Sequence, residues 1–344
     1  MNLFIYKYNK YNKQIYIKLI FKSISIFFLG ILSIYSKQNY FFFENKEKEY
    51  CKNNALLVYD YIYNFEKSIK EVNIGDYIQS LAALQYIPKN CFPILIERDS
   101  VQYYHGPKVN LIMNGWFYIR EGNKFTSESI NPIYLSYHIQ NNIKDNRVFK
   151  NLRKYQPIGC RDKYTKILLL KNGIKAYFSS CLTTTLDINY YKDEKYRNDE
   201  IIFTDFKFGF FKQADDYIQN LKAYNFTNIT YLTHKYSTNL NHLERFSIAN
   251  SFLKKYARAK LVITTRIHAA LPCLALKTPV IFINNLYDKF RYHGIYDLLN
   301  TIGINSKNKF DINVNINQSG FVFNSDKYLN YSLNLKKTLK NKFK

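Results

Sequence analysis

The sequence predicts an α/β protein built from two Rossmann-like domains that face each other across a cleft. Short apolar runs alternate with amphipathic segments along most of the chain, which is the pattern of parallel strands covered by helices on both faces. A polar, charged stretch, "YYKDEKYRNDE" (190–200), divides this pattern into two blocks. The chain has 344 residues, 47% of them apolar, and this is enough for two domains with a core each.

In the N-terminal block, one amphipathic pattern marks a helix and several apolar runs mark strands. The helix is predicted over "DYIQSLAALQYI" (76–87), where apolar residues recur at the spacing of one helix face. A second helix, over 162–174, ends at Gly173, a residue typical of helix C-termini. Strands are predicted over 55–63, 92–97, 109–115, 132–139 and, followed by a turn, 175–186.

The C-terminal block repeats the alternation of strand and helix. Its predicted strands cover 201–206, 229–234, 260–265 and 278–283, and its predicted helices cover 213–224, 241–259 and 266–277. The chain therefore divides into a basic and hydrophobic N-terminal segment with a linker (1–50), an N-terminal Rossmann-like domain (51–195), a C-terminal Rossmann-like domain (196–325) and a basic, solvated tail (326–344).

The formal net charge of +24 restricts the classes of partner. Such an excess is compatible with a polyanion, an anionic membrane surface or an acidic substrate. Only ten of the 50 basic residues are arginine, and the lysines are scattered among Asn, Ile and Tyr, a mixture that the codon bias of an AT-rich genome also produces. Because no dense basic block or nucleic-acid motif accompanies the charge, we expect no nucleic-acid partner.

An N-terminal hydrophobic extension leaves the location of the protein open. Residues 19–36 contain a single charged residue, Lys22, and nearly reach the roughly 20 residues that a membrane span needs. Lysines upstream would keep the N-terminus in the cytoplasm and place the rest of the chain across the membrane. Two interpretations remain: a single-pass membrane protein with a signal anchor, or a cytoplasmic enzyme with a hydrophobic N-terminal extension.

The cysteines indicate neither a metal site nor a disulfide framework. The chain has five, with no CxxC pair and no zinc-like spacing to a histidine, and their odd number fits no set of disulfides. We therefore predict that most of them are buried thiols, and we expect no bound metal and no cofactor.

Arg266 and His268 stand where a predicted buried strand passes into a helix, in "LVITTRIHAALPCLAL" (261–276). Ligands of open parallel sheets bind beyond the carboxyl ends of the strands, and a helix N-terminus there attracts anions. Thr264 or Thr265 can cap this helix. Arg266 offers a planar fork to a carboxylate or phosphate, and His268 can exchange a proton near neutral pH. The same residues also fit a surface arginine paired with an acid and a structural histidine.

The segment "NIGDYIQ" (73–79) has a similar design after the first predicted strand. Gly75 lets the backbone approach a ligand or turn sharply, and Asp76 either caps the helix or acts as a catalytic carboxylate. We take Asn73 and Gly75 as candidate substrate-binding residues and Asp76 as a candidate catalytic residue. The segment lacks GxGxxG, so it predicts no dinucleotide site.

Polar residues also follow other predicted strands. Arg161 lies at the junction in "IGCRDKYT" (158–165), where the neighbouring Asp162 fits a helix cap. Ser180 and Thr183 of "SSCLTTTL" carry hydroxyls that can bind phosphate or sugar. Asn114 follows the strand of "VNLIMNG" and precedes the only Trp, which stacks on a sugar or simply packs.

Four segments in this order resemble the polysaccharide pyruvyl transferase family: "NIGDYIQSLAALQYI", "NGWF", "GCRDKYTKILLLKNGIKAYFSSCLTTTL" and "ARAKLVITTRIHAALPCLALKTPVIFI". The similarity spans roughly residues 55 to 300. It implies a two-domain fold like that of GT-B glycosyltransferases, and transfer of pyruvate from phosphoenolpyruvate onto two hydroxyls of one sugar as a cyclic ketal. It also implies that Arg161, Arg266 and His268 form the donor-binding and catalytic set, with Asp76 lining the cleft.

Two other functions fit parts of the sequence. A glycosyltransferase with the same architecture would use the basic cleft to hold the diphosphate of a nucleotide sugar. A non-catalytic, membrane-attached protein would bind acidic polysaccharide or lipid through its charge of +24, without need of Arg266 or His268.

Overall fold

The computed structural model describes residues 49–59, 71–117, 126–140, 143, 146–191, 197–209, 211–284, 291–304 and 310–343. The fold is a mixed α/β arrangement of parallel sheets and several helices, which confirms the predicted class. The hydrophobic extension at 19–36 lies outside the described residues. Within them, no helix has the length and apolar character that crossing a membrane requires.

The strands and helices lie close to their predicted positions. The strands are β1 (Tyr50–Val58), β2 (Glu71–Asn73), β3 (Phe92–Glu97), β4 (Val109–Ile112), β5 (Trp116–Phe117), β6 (Ile130–Ile133), β7 (His138–Ile139), β8 (Ile158–Cys160), β9 (Ala176–Phe178), β10 (Ile201–Thr204), β11 (Ile229–Leu232), β12 (Lys235–Ser237), β13 (Leu261–Thr264), β14 (Val280–Asn284), β15 (Asn300–Ile304) and β16 (Phe310–Asn313). The α-helices are α1 (Ile74–Leu84), α2 (Asn146–Leu152), α3 (Lys163–Lys171), α4 (Lys212–Gln219), α5 (His242–Arg258), α6 (Ile267–Ala275) and α7 (Leu329–Lys342).

One predicted strand, over 132–139, is divided into two. Its first two residues belong to β6 and its last two residues form β7. Ser136 between them has a φ of 56°, in the left-handed region, so the extended backbone cannot continue through it. The break directs β7 away from the sheet of β6 to pair with β5.

Two sheets organise the molecule, one in each half of the chain. The N-terminal sheet has the order β3-β1-β4-β6, and all its pairs are parallel. The C-terminal sheet has the order β11-β10-β13-β14-β15-β16, and only the last pair is antiparallel. In each sheet the strand that comes first in the sequence, β1 or β10, is an interior strand with a neighbour on both sides. The strand order therefore reverses between β1 and β4 and between β10 and β13. Crevices that bind ligands form at such reversals.

The two halves, here called the N-terminal lobe (49–191) and the C-terminal lobe (197–343), are joined directly. Strand β2 of the first lobe pairs in antiparallel fashion with β12 of the second. One continuous apolar core also includes side chains of both lobes, among them Tyr77 of α1, Phe246 of α5 and Leu271 of α6. The lobes therefore bury apolar surface against each other beside the ends of their sheets.

The segment predicted as a basic, solvated tail is instead mostly the helix α7. Leu335 and Leu339 are spaced four residues apart, so they share one face of the helix, and both are buried. Ser332 donates a hydrogen bond of 2.9 Å to the carbonyl of Thr184 in the N-terminal lobe. Because lysines stand between the leucines, the apolar face of α7 is hard to recognise in the sequence. The helix packs the end of the chain against the first lobe.

A disulfide corrects the prediction that the cysteines form no disulfide framework. Cys51 in β1 is bonded to Cys91, next to β3. Strands β1 and β3 are parallel neighbours, with Tyr50 opposite Phe92, so their first residues lie side by side. The remaining cysteines are buried thiols as predicted; they are Cys160, Cys181 and Cys273.

We expect the double variant Cys51→Ser, Cys91→Ser to lose roughly 4 kcal/mol of unfolding free energy, because the bond closes a separation of 40 residues in the unfolded chain. Urea unfolding of the oxidised protein and of the variant measures the difference. Dithiothreitol should lower the midpoint of the parent protein to that of the variant and leave the variant unchanged. Equal midpoints for the oxidised parent and the variant would contradict the prediction.

Candidate active site

The C-terminal lobe presents Arg266 at the reversal of its sheet. Asp205 follows β10, Arg266 follows β13, and the two strands are neighbours. Arg266 donates from Nε to Oδ2 of Asp205 over 2.6 Å, and its side chain remains 31% exposed. Thr264 accepts a hydrogen bond from the backbone N–H of Arg266, and Thr265 donates one to the carbonyl of Asp205. The hydrogen bond to Asp205 therefore fixes the guanidinium through Nε, while part of the side chain remains exposed.

Asp205 is a part of this site that the sequence analysis missed. Burial would raise the pKa of Asp205, but hydrogen bonds from the Thr233 hydroxyl and the His234 N–H and the charge of Arg266 lower it below its usual value. Asp205 has a φ of 51°, a conformation that costs free energy in a residue with a side chain. The available signal was its position directly after a buried parallel strand.

Helix α1 brings the N-terminal lobe onto this site. Its N-cap is Asn73, whose side chain accepts from the Gly75 N–H over 3.0 Å, and the Ile74 N–H donates to the carbonyl of His234 over 2.8 Å. Of the two roles that the sequence left open for Asp76, the structure therefore rules out the helix cap. Asp76 lies in the first turn, since an asparagine three residues earlier already provides the cap. Asn73 shapes the helix start, and its oxygen is engaged there.

Gly75 allows a close approach between the lobes. A Cβ atom at this position would lie 2.9 Å from Nδ1 of His234 and 3.0 Å from Cβ of His268. Contacts this short are repulsive, so any larger residue would displace the helix. The sequence predicted Gly75 as a site of close backbone approach, and the structure places both a neighbouring histidine and the candidate catalytic histidine against it.

His268 occupies the centre of the cluster. Its Nδ1 lies 3.8 Å from Oδ1 of Asp76, and its buried Nε2 has no hydrogen-bond partner among the described residues. Burial lowers the pKa of His268 well below its usual value, and the charges of Arg161, His234, Arg291 and Arg266 lower it further. Burial and these charges therefore favour the neutral imidazole at pH 7. A bound anion would stabilise its protonated form.

Arg161 reaches the same cluster from the N-terminal lobe. It follows β8, and its guanidinium is 2% exposed with Nη2 unpartnered within the described part of the chain. Burial lowers the pKa of Arg161, and the nearby charge of Arg291 adds to this effect. Because Arg161 and Arg266 both act on His268, the structure brings the three predicted residues into one electrostatic environment.

The predicted hydroxyls lie beside Arg161. Ser180 follows β9, the partner strand of β8, and has a φ of 63° with a buried hydroxyl that has no partner among the described residues. Thr183 donates to the sulfur of Cys181 over 3.2 Å, and the charge of Arg161 lowers the pKa of that thiol against the larger effect of burial. Ser180 is thus available to a ligand, whereas Thr183 supports the loop.

His138 and Arg291 were not among the predicted residues. His138 Nδ1 lies 2.5 Å from Oδ2 of Asp162, which caps α3 as predicted by accepting from the Thr165 N–H. Burial and the charge of Arg161 together lower the pKa of His138 to about 4, outweighing the effect of Asp162. A third cation comes from Arg291, whose guanidinium carbon lies 4.6 Å from the ring centroid of Trp116. Sequence spacing gave no signal for either residue.

The cluster has the charge and the donor groups that suit a small anion. The charges of three arginines from different parts of the chain act on one imidazole, which has a carboxylate 3.8 Å away. No group of three or more His, Cys, Asp or Glu side chains in the described ranges could hold a metal. The arrangement can bind an anion, stabilise charge that develops in a transition state and exchange a proton.

The sequence profile of one family, described as polysaccharide pyruvyl transferase, matches residues 73–287. The chain belongs to the polysaccharide pyruvyl transferase family. This membership confirms the predicted resemblance and makes the protein a transferase. The matched stretch includes the predicted site residues from Asn73 to His268 and covers more than half of the chain.

A solved structure gives a distant match to this family member. It is a functionally uncharacterised protein from Klebsiella pneumoniae subsp. pneumoniae NTUH-K2044, 18% identical, with 74% of this chain and 94% of that chain covered and a TM-score of 0.44. No curated protein matches the chain at a significant level.

The substitution Gly75→Ala should lower both the stability and the transferase activity of the protein. Alanine in place of glycine inside a helix is ordinarily stabilising by up to about 1 kcal/mol. Here the added methyl group meets His234 and His268 at about 3 Å, so α1 must shift away from the C-terminal lobe. Thermal unfolding and the rate of transfer measure the two effects. An increase in stability at full activity would contradict this packing.

The stability of the protein should fall as the pH drops below 6.5, in part through His234. Burial lowers the pKa of His234 to about 3, while an unfolded chain has its histidines at about 6.5. The unfolded state therefore takes up the proton first, and stability is lost at about 1.4 kcal/mol per pH unit between these values. Urea unfolding at pH 7 and pH 5 should show a smaller loss for His234→Gln, and an unchanged loss for the control His105→Gln at an exposed side chain. Equal losses for parent and His234→Gln would refute the assignment.

Proposed function

We propose that this member of the polysaccharide pyruvyl transferase family transfers pyruvate from phosphoenolpyruvate to two hydroxyls of one sugar in a glycan. The observation that supports this donor most strongly is the joint effect of Arg161 and Arg266, from opposite lobes, on the buried His268. Phosphoenolpyruvate carries a carboxylate and a phosphate on a three-carbon unit, and it therefore requires two cationic groups that face one small space.

The proposed architecture is that of two Rossmann-like domains across a cleft, as in GT-B enzymes. The strand-order reversals of the two sheets support it, since Asn114 follows β4 in one lobe and Arg266 follows β13 in the other. The proposed domains keep the predicted ranges 51–195 and 196–325, with α7 returning to the first of them.

In the proposed reaction the three-carbon unit is transferred from phosphate to the two sugar oxygens, with no oxidant or reductant. A proton is added to the methylene carbon of phosphoenolpyruvate, and C2 becomes electrophilic. A sugar hydroxyl attacks C2 and loses its proton, the C2–O bond to phosphate breaks, and a second hydroxyl closes the ketal. The net products are the cyclic ketal and inorganic phosphate, and no resident metal or cofactor takes part.

The residues of the cluster fit separate steps of this sequence. Arg161 and Arg266 bind the two anionic groups of the donor. His268, once protonated next to the bound anion, supplies a proton to the methylene carbon or stabilises the departing phosphate. Asp76 accepts the proton of a sugar hydroxyl, and Ser180 donates a hydrogen bond to an anionic oxygen of the donor.

Replacement of Arg266 by alanine should abolish transfer and leave the far-ultraviolet circular dichroism unchanged, since the side chain lies at the edge of the site and is partly exposed. The assay incubates the protein with phosphoenolpyruvate or with nucleotide sugars and a panel of glycan acceptors. Mass spectrometry detects the gain of one pyruvate ketal, and released phosphate or nucleotide is measured in parallel.

Transfer that survives in Arg266→Ala would reject the role of this arginine. Product formed only from nucleotide sugars would instead identify a glycosyltransferase. Salt-sensitive polyanion binding without turnover, retained in Arg266→Ala and His268→Ala, would favour the non-catalytic alternative. Lys260→Ala provides a matched control, because Lys260 is also cationic and pairs with the exposed Asp199 on the surface; it should retain full activity.

A further inference from the structure

A line of polar side chains extends from His268 into the N-terminal lobe, and two of its members, Gln79 and Asn114, have no role in the steps above. Asp76 Oδ1 lies 3.8 Å from the imidazole of His268 and accepts a hydrogen bond of 3.0 Å from Nε2 of Gln79, one turn further along α1. The backbone carbonyl of Gln79 accepts a hydrogen bond of 2.8 Å from Nδ2 of Asn114, at the strand-order reversal of the N-terminal sheet. We call Asp76, Gln79 and Asn114 the amide line.

The contacts of the amide line fix how both amide groups are turned. Gln79 places its NH2 group on a carboxylate, and Asn114 places its NH2 group on a carbonyl. Turning either amide by 180° would set oxygen against oxygen, so the atoms left over must be the two side-chain oxygens. Both oxygens are buried and have no hydrogen-bond donor among the described residues. A buried acceptor without a donor costs free energy, so a hydrogen-bond donor from a ligand would stabilise each oxygen.

Two other unpartnered buried atoms, on Arg161 and Ser180, are of the opposite kind. Nη2 of Arg161 can only donate a hydrogen bond, and the hydroxyl of Ser180 also has a proton to donate. Donors of this kind suit the oxygens of an anion. The two oxygens of the amide line would repel an anion and suit the hydroxyl groups of a neutral polyol. The carboxylate of Asp76, which belongs to the amide line, lies 3.8 Å from the imidazole of His268.

We propose that Gln79 and Asn114 form the acceptor subsite, in which their side-chain oxygens accept hydrogen bonds from non-reacting hydroxyls of the sugar that receives the pyruvate. The inference rests on the proposed function for the identity of the reaction, and its new content is the location and chemistry of sugar recognition. A sugar held there lies next to Asp76, which takes the proton of the attacking hydroxyl. Gln79 also positions Asp76 by donating to its carboxylate.

The test pairs Asn114→Ala and Gln79→Met with sugars that lack single hydroxyls. The probes are the methyl glycosides of galactose, glucose and mannose and their monodeoxy analogues. We expect Asn114→Ala to raise the KM for the sugar about tenfold, as the loss of a buried hydrogen bond does, with little change in the KM for phosphoenolpyruvate. One deoxy sugar should show the same loss with the parent protein and no further loss with the variant, because both changes remove the same hydrogen bond.

Gln85→Met is the matched control for Gln79→Met. Gln85 follows the last turn of α1, but its NH2 group donates to Ala82 and Thr185, so this variant should leave the KM for every sugar unchanged. Gln79→Met should raise the KM for the sugar and also lower kcat, because Asp76 loses a positioning contact. If, for every deoxy sugar, the increase in KM from the missing hydroxyl simply added to the increase from either variant, the subsite would be overturned. The two oxygens would then have only a structural role.

A separate measurement distinguishes failure of the subsite from failure of the proposed function. Calorimetric titration with phosphoenolpyruvate tests the donor site without any sugar. If the parent protein does not bind phosphoenolpyruvate, the proposed function fails, and saturation-transfer NMR with the same glycosides still tests the subsite through sugar binding. Sugar signals that persist unchanged in Asn114→Ala and Gln79→Met would then overturn it, and signals lost in both variants but retained in Gln85→Met would support it.

Discussion

The contact of helix α1 with the C-terminal lobe is the constraint on which the site depends. A glycine at position 75 and the hydrogen bond from Ile74 to His234 bring the first turn of α1 against the strand ends of the other lobe. Without this contact, Asp76 would have no access to His268, and Arg161 would face a different environment. Strand β12, paired with β2 directly before α1, fixes the direction in which the helix enters. The contact thereby brings residues of both lobes into one site.

The burial of this junction also determines its electrostatics. The chain carries a net charge of +24, but lysines on the surface are hydrated and screened, and they act weakly on the centre of the protein. A few arginines near a buried imidazole act far more strongly, because the surroundings are less polarisable than water. Burial and the neighbouring cations lower the pKa of His268 and so favour its neutral form. The binding of an anion beside His268 would therefore be coupled to protonation of its imidazole.

The sequence predicted those parts of the structure that depend on local chemistry. A buried strand followed by a polar residue at its carboxyl end is a local pattern, and it identified Arg161 and Arg266 as well as Asn114. The choice between Asn73 and Asp76 as the cap of α1 could not be made locally, since both side chains are good caps and stand three residues apart. Residues joined only by the tertiary fold gave no signal. The disulfide depends on the register of two parallel strands, and His138 meets Asp162 only because β7 leaves the first sheet.

The two arginines that the sequence singled out are organised differently, and this difference has a consequence for binding. Arg266 is paired with Asp205, so its position is fixed and part of its charge is already balanced before a ligand arrives. Arg161 is almost fully buried and retains an N–H group without a partner among the described residues. A buried charge without sufficient compensation is costly, and an anion that pairs with it regains that free energy. The attraction for an anion is therefore concentrated at Arg161, whereas Arg266, held by Asp205, contributes a fixed direction from the opposite lobe.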